Sequence, residues 1–328
     1  MRAAIAGWGA AVPDGRLTNA DLEQRVDTSD QWIVERTGIR ERRIAGAEDS
    51  TATLAIAAGA AAIKQAGITP VDIDLLIVAT ATPEQPIPHT GAFVGEGLGL
   101  RCGSFDLAAG CAGFVYELVT GASLLASGGL DHVLVVGAET LSRIIDPDDR
   151  ATCILFGDAA AALVLEAAPD AGPGLLSFDL GCDGSLAGLL EVSAGGSRRP
   201  TTAATLAEGL QYLKMQGPEV FRRAVRVVIE SAKTAMARAG VTSSEIDWFI
   251  PHQANARIID AASSRLGIPP ERTIVNIERY GNTSAASIPL ALSEAADAGR
   301  FEDGQLILVS GFGAGMTWGS AVLRWGRA

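Results

Sequence analysis

Apolar residues in this chain gather in short unbroken runs and do not alternate with polar ones. "LLIVAT" from position 75, "HVLVVGAE" from 132, "FGDAAAALVLE" from 156, "WFIPH" from 248 and "LILVSGFG" from 306 are the clearest. Runs without period-two alternation predict strands of sheets covered on both faces. Helical segments lie between them. One is predicted over 53–66, with Ser50 and Thr51 as cap candidates and Gly67 as its stop. Another opens at Gly217-Pro218, carries apolar positions at Val220, Phe221, Ala224 and Val228, and stops at Gly240. Strands alternating with helices predict a layered α/β architecture. The opening "MRAAIAGWGAAVP" reads as a first strand and turn, its apolar stretch being short for a signal peptide. No window holds eighteen uninterrupted apolar residues, so no membrane span is expected.

The pattern also repeats. "AIKQAGITPVDIDLLIVATAT" at 62–82 matches "AMARAGVTSSEIDWFIPHQAN" at 235–255 at an offset of 173, pairing Gly67 with Gly240 and Ile77 with Ile250. "HVLVVGAE" from 132 matches "LILVSGFG" from 306 at an offset of 174. Helix-turn-strand units of any α/β protein look alike, which explains one match better than two in register. A duplication is expected, with a boundary near Pro173 that divides the chain into halves of 1–172 and 173–328.

Composition narrows the function. With 328 residues, 48% hydrophobic but only 5% aromatic, the chain can bury a large core built mostly from small side chains. A net charge of −12 argues against a general nucleic-acid surface. Cys102, Cys111, Cys153 and Cys182 show no C-x-x-C spacing, so neither a disulfide framework nor a metal site is indicated, and a reducing cytoplasm is expected.

Cys111 is the exception among the cysteines. It stands in "AAGCAGF", after a short strand-like "SFDLAAG" and directly before the helical "FVYELVTGASLLA". A free cysteine often serves as a small buried hydrophobe. Here small neighbours leave room for close approach, and the positive end of a helix would lower the thiol pKa. An activated nucleophile is the sharper expectation. Adding the repeat offset to Cys111 lands in "YGNTSAASIPLAL", another glycine turn entering a helix, which would bring Asn282 close to Cys111. Of the three histidines, His89 reads as a loop residue and His132 as a strand-entry residue. His252, in "PHQAN" at a strand exit, reads as a site residue. The candidate constellation is Cys111, His252 and Asn282.

The chain resembles the β-ketoacyl-acyl-carrier-protein synthase III family, the initiating condensing enzymes of type II fatty-acid synthesis. The resemblance runs nearly end to end, through "SDQWIVERTGIRERRI", "GCAGF", "DDRATCILFGDAAAA", "PHQAN", "GNTSAASIP" and "GFGAGMTWGS" in order. It implies a thiolase-like fold, two duplicated βαβαβαββ halves forming α/β/α/β/α layers. It also implies a ping-pong acyltransferase. An acyl group passes from coenzyme A to Cys111. Malonyl carrier protein then decarboxylates, and its carbanion attacks the acyl-enzyme. By resemblance, His252 Nε2 and Asn282 Nδ2 stabilise the enolate oxygen, and the backbone N–H groups of Cys111 and Ala314 hold the acyl carbonyl. The family commonly has glycine where this chain has Ala314. Phe312 would shield the site from water.

The resemblance further implies that Trp32 and Arg150 sandwich the adenine of coenzyme A. Thr28 and Arg36 would meet the nucleotide, and Gly217, Phe221, Ala254 and Asn255 would line the pantetheine path. Ile87 falls where the family lines its primer pocket, often with phenylalanine. Acyl-CoA is a substrate here, and no cofactor is implied. An acidic carrier would dock on Arg222, Arg223, Arg257 and Arg265, although such charges also occur as plain solvated faces. The family implies a homodimer. Rival readings are an elongating condensing enzyme, which uses two histidines; a chalcone-synthase-like enzyme, usually longer and without "PHQAN"; a priming or acyl-transferring relative from a polyketide pathway; and a non-condensing acyl-CoA-binding protein. The intact cysteine, histidine and asparagine count against the last.

Overall fold

The unbroken apolar runs become the inner strands of two mixed sheets. In the computed structural model, which describes residues 2–328, the first half runs β1 (Arg2–Ala11), β2 (Gly15–Thr18), α1 (Asn19–Glu23), α2 (Asp30–Thr37), β3 (Glu41–Ile44), α3 (Thr51–Ala66), β4 (Leu75–Ala79), α4 (Thr90–Leu98), β5 (Gly103–Leu107), α5 (Gly113–Ala126), β6 (His132–Thr140), α6 (Arg150–Cys153) and β7 (Asp158–Ala168). The second runs β8 (Gly174–Cys182), β9 (Leu190–Val192), α7 (Ala203–Ala207), β10 (Leu213–Met215), α8 (Gly217–Ala239), β11 (Trp248–Pro251), α9 (Ala256–Leu266), α10 (Ile277–Tyr280), α11 (Ser287–Asp297), β12 (Leu306–Gly313) and β13 (Thr317–Arg324).

The repeat in the sequence is a repeat in space. The first sheet has the order β1-β7-β6-β4-β5 and the second β8-β13-β12-β11. In both, the first two neighbouring pairs are antiparallel and the third is parallel. Where β5 pairs in parallel with β4, the second half keeps a single parallel bridge, Phe249 with Thr273. The 173–174 offset carries the start of β4 to that of β11, β6 to β12, and α5 to α11.

Five layers result. Helices α5 and α11 lie between the sheets, where Phe114, Leu118 and Leu125 of one and Ile288, Ala291 and Leu292 of the other share a core with Val135, Ile250 and Val309. Helices α3 and α4 cover the outer face of the first sheet, and α8 and α9 that of the second. This double coverage is why the strands show no alternation. Alanine explains the close stacking. Ala55, Ala58 and Ala62 of α3 are fully buried against the first sheet, which aromatic side chains would hold farther away. The helix ends follow the sequence signals. Ser50 caps α3 in a capping box with Thr53, and Gly67 closes it in the left-handed region at φ 77°. Loss of the Ser50 side chain would cost about 1 kcal/mol.

Candidate active site

Two short turns enter the central helices side by side: residues 110–112 before α5 and 284–286 before α11. Cys111 sits in the first, 8% exposed. The end of β12 presses against it. A Cβ on Gly313 would lie 2.4 Å from the Cys111 backbone nitrogen, so only glycine fits there. A Cβ on Gly110, at φ +52°, would lie 2.9 Å from the nitrogen of Ala314. The N–H groups assigned to an oxyanion hole, those of Cys111 and Ala314, therefore belong to two segments in direct contact. Thr317 ties this corner, its hydroxyl lying 2.8 and 2.9 Å from the carbonyl oxygens of Ala109 and Ala314 and sharing its one hydrogen between them.

Asn282 is placed by backbone pairing. Its N–H donates to the Leu155 carbonyl at 2.8 Å, and its carbonyl accepts from Gly157 N–H at 3.0 Å. Gly281 makes the approach possible: it adopts φ +65°, and a Cβ there would meet the Leu155 oxygen at 2.6 Å. The Asn282 Oδ1 accepts from the Ser284 N–H at 2.8 Å, which turns Nδ2 outward as the free donor. His252 leaves β11 with its ring edge-on to Phe312, centroids 5.5 Å apart, and its Nδ1 2.6 Å from the Ser287 hydroxyl.

One cavity of about 540 Å³ gathers these groups. Cys111, His252, Asn282, Phe312 and Gly313 line its inner end. Its apolar walls include Ile154, Leu155, Phe156, Met215 and Val220, and its mouth carries Trp32, Arg36, Arg222 and Arg257. Gly217, Phe221, Ala254 and Asn255 also line the cavity. Arg36 and Arg150 both place their guanidinium groups over the Trp32 ring, at 5.7 and 5.1 Å from its centroid. Arg150 also donates to the Asp27 carbonyl at 2.6 Å. Thr28 is half-buried one residue away, outside the cavity wall, with a hydroxyl that has no hydrogen-bond partner. Asn255 uses its amide on the fold: Oδ1 caps α9 by accepting from Arg257 N–H, and Nδ2 donates to the Arg36 carbonyl at 3.0 Å.

Three expectations need revision. Ile87 is 85% exposed on the loop before α4 and does not line the cavity of its own chain. A smaller residue in the family's pocket position therefore says nothing about the room beside Cys111 within this chain. Arg222 and Arg223 both pair with Glu219, Arg223 at 2.8 Å, which offsets part of their charge. Arg257, stacked on Phe221 at 5.5 Å, and the exposed Arg265 have no carboxylate partner among the described residues. Third, the Cys111 thiol is not acidified. Burial pushes it up to about 12, against the Ser284 hydrogen bond and with the Glu139 carboxylate adding to the rise. Desolvation is the largest influence on the thiol, which sits on the short turn 110–112 ahead of α5. Burial likewise pushes His252 down to about 3, so the resting pair is thiol and neutral imidazole.

Known proteins share this plan. The family described as 3-oxoacyl-[acyl-carrier-protein (ACP)] synthase III matches residues 105–184, and its C-terminal part matches 236–325. A β-ketoacyl-[acyl-carrier-protein] synthase III of Symbiobacterium thermophilum is 51% identical over 324 residues, 98% of each chain. The chain belongs to the β-ketoacyl-[acyl-carrier-protein] synthase III family. The solved synthase III of Thermus thermophilus is 46% identical, with a TM-score of 0.91 over 99% of this chain and 100% of that one. The priming β-ketosynthase of the R1128 polyketide biosynthetic pathway is 36% identical, with a TM-score of 0.90 over 98% and 96%. Sequence reasoning found the three polar residues at the inner end but missed the serines behind them. Ser284 and Ser287 stand in "NTSAAS", and their polarity at buried positions was the available signal. Among the described residues no cluster of ligating side chains could hold a metal.

Proposed function

We propose that this chain condenses an acyl-CoA primer with malonyl carrier protein, releasing carbon dioxide and giving a 3-ketoacyl carrier protein through an acyl-Cys111 intermediate. The observation that carries this reading is the convergence of Cys111, His252 and Asn282 at the closed end of one cavity whose mouth is ringed by Trp32, Arg36, Arg222 and Arg257. In the first half-reaction Cys111 sulfur attacks the thioester carbonyl, and its proton leaves with the coenzyme A thiol. The carbonyl oxygen rests on the Cys111 and Ala314 N–H groups. In the second, the malonyl carboxylate departs as carbon dioxide, and the electron pair passes to the thioester oxygen between His252 Nε2 and Asn282 Nδ2. The carbanion attacks the acyl carbon, and Cys111 leaves as thiolate and takes up a proton. An imidazole held at about 3 is a weak base yet still donates from Nε2, and preorganised donors need no reorganisation as charge develops.

The adenine would stack on Trp32 between Arg36 and Arg150. Phe312, packed on His252, would keep water from the acyl-enzyme. The carrier would dock at Arg257 and Arg265, with Arg222 and Arg223 secondary. A homodimer would form through β5, an edge strand that leaves Phe105 37% exposed. The primer of fatty-acid synthesis is favoured over a polyketide role by the higher identity to synthase III relatives, 51% against 36%. A panel of acyl-CoA primers with malonyl carrier protein tests the reading. The 3-ketoacyl carrier product should form only when both substrates are present. Acyl transfer to the carrier without loss of carbon dioxide would overturn it.

A further inference from the structure

Ser287 opens α11 and is 1% exposed, against a His252 that is 2% exposed. Its oxygen lies 2.6 Å from His252 Nδ1 and accepts from the Gln253 N–H at 3.4 Å. That N–H cannot turn away. The Gln253 amide clamps its own backbone by donating to the carbonyls of Pro251 and Ile274, at 2.7 and 3.2 Å, and accepting from Asn276 N–H at 3.0 Å.

A hydroxyl has one hydrogen to give. With Gln253 already aiming a hydrogen at the oxygen, a protonated Nδ1 would aim a second, and the buried hydroxyl hydrogen would be left without an acceptor. The pairing that satisfies every group runs Gln253 N–H to Ser287 Oγ, and Ser287 O–H to His252 Nδ1. The imidazole hydrogen is then on Nε2. The N-terminus of α11, at Ser287 itself, adds a field that disfavours imidazolium. We propose that Ser287 is a positioning residue that fixes His252 as the neutral Nε2–H tautomer and so aims its donor at the cavity. Asn282 receives the same service from Ser284, whose N–H holds Oδ1. One turn, 284–287, thus orients both donors. The catalytic consequence rests on the reading of His252 as a decarboxylation donor; the tautomer does not.

The test is a long-range proton–nitrogen correlation spectrum of histidine-labelled protein, which has only three imidazoles to assign. Wild type should show His252 protonated at Nε2. Ser287→Ala should populate the Nδ1–H form and slow malonyl decarboxylation by about 10- to 100-fold, the scale known for removing the partner that orients a metal-ligating histidine. Acyl loading of Cys111 should change by less than about twofold, since loading does not use that donor. Ser287→Thr keeps the hydroxyl and should restore the Nε2–H signature. An Nδ1–H signature in wild type, an unchanged tautomer in Ser287→Ala, or equal losses in loading and decarboxylation would overturn the inference. A wild-type decarboxylation rate in His252→Ala would instead overturn the donor reading, and the tautomer comparison would still decide the part of Ser287.

Discussion

Replacing Asn282 by alanine removes one of two donors at the closed end of the cavity and leaves the other in place. The Nδ2 group is free to act because Oδ1 is taken up by Ser284 N–H at 2.8 Å. Removing a preorganised donor of this kind costs about 2.7–4 kcal/mol of barrier, or 10²- to 10³-fold in rate. The same change strands the Ser284 N–H in a site where Ser284 is 2% exposed, which costs about 1–3 kcal/mol of stability. The variant should therefore melt a few degrees lower yet remain folded at assay temperature. The assay is carbon dioxide release from malonyl carrier protein, run beside acyl loading of Cys111 from acyl-CoA. Decarboxylation should fall by the stated factor, while loading, which the proposed mechanism rests on the Cys111 and Ala314 N–H groups, should fall far less. Decarboxylation within about threefold of wild type would mean that no transition-state donor had been lost. A matching fall in loading would mean that the damage lies in the nucleophile turn.

Three further outcomes follow from the same geometry. His252 is held at about 3 while an unfolded histidine titrates near 6.5, so the unfolded chain takes up the proton first as pH falls; stability should drop by about 1.4 kcal/mol per unit between about pH 6 and 3, and His252→Gln should remove that slope in acid-unfolding curves. Glu117, fully buried on α5 with one carboxyl oxygen unpartnered, is raised well above the usual carboxylate range by burial. Its contribution is therefore present at low pH and lost as pH rises above about 4.5, so Glu117→Gln should raise the melting temperature at pH 8 and barely change it at pH 4.5. Arg257→Glu should raise the KM for malonyl carrier protein more than that for acyl-CoA, with the gap closing as salt rises, whereas Trp32→Ala should do the reverse and raise the acyl-CoA KM by about 3- to 10-fold.

The layers were legible because each apolar run and each glycine stop obeys a local rule. Gly67 and Gly240 end helices in the left-handed region, and Gly217-Pro218 opens one. The repeat was legible because the two halves keep the same spacing, and the same offset carries turn 110–112 onto turn 284–286. Those turns made Cys111 and Asn282 neighbours before any coordinate did. What stayed hidden depends on burial and on partners distant in sequence. A helix start promised an acidic thiol, but how deeply Cys111 lies and that Glu139 stands near it are properties of the packed molecule. The basic run "FRRAVR" hid the pairing of Arg222 and Arg223 with Glu219, one turn earlier on the same helix. Ile87 looked like a pocket residue by position, and only the path of the loop puts it in solvent.

The central claim is that one sulfur accepts the primer and then gives it up to a decarboxylating partner. Intact-protein mass spectrometry follows both events in one sample. On mixing with acyl-CoA, the protein should gain the mass of one acyl group. On adding malonyl carrier protein, that mass should vanish, and the malonyl carrier should gain the mass of the acyl group while losing that of carbon dioxide. Cys111→Ser should show neither change. Persistence of the acyl adduct after the carrier is added, or undiminished labelling of Cys111→Ser, would contradict the account.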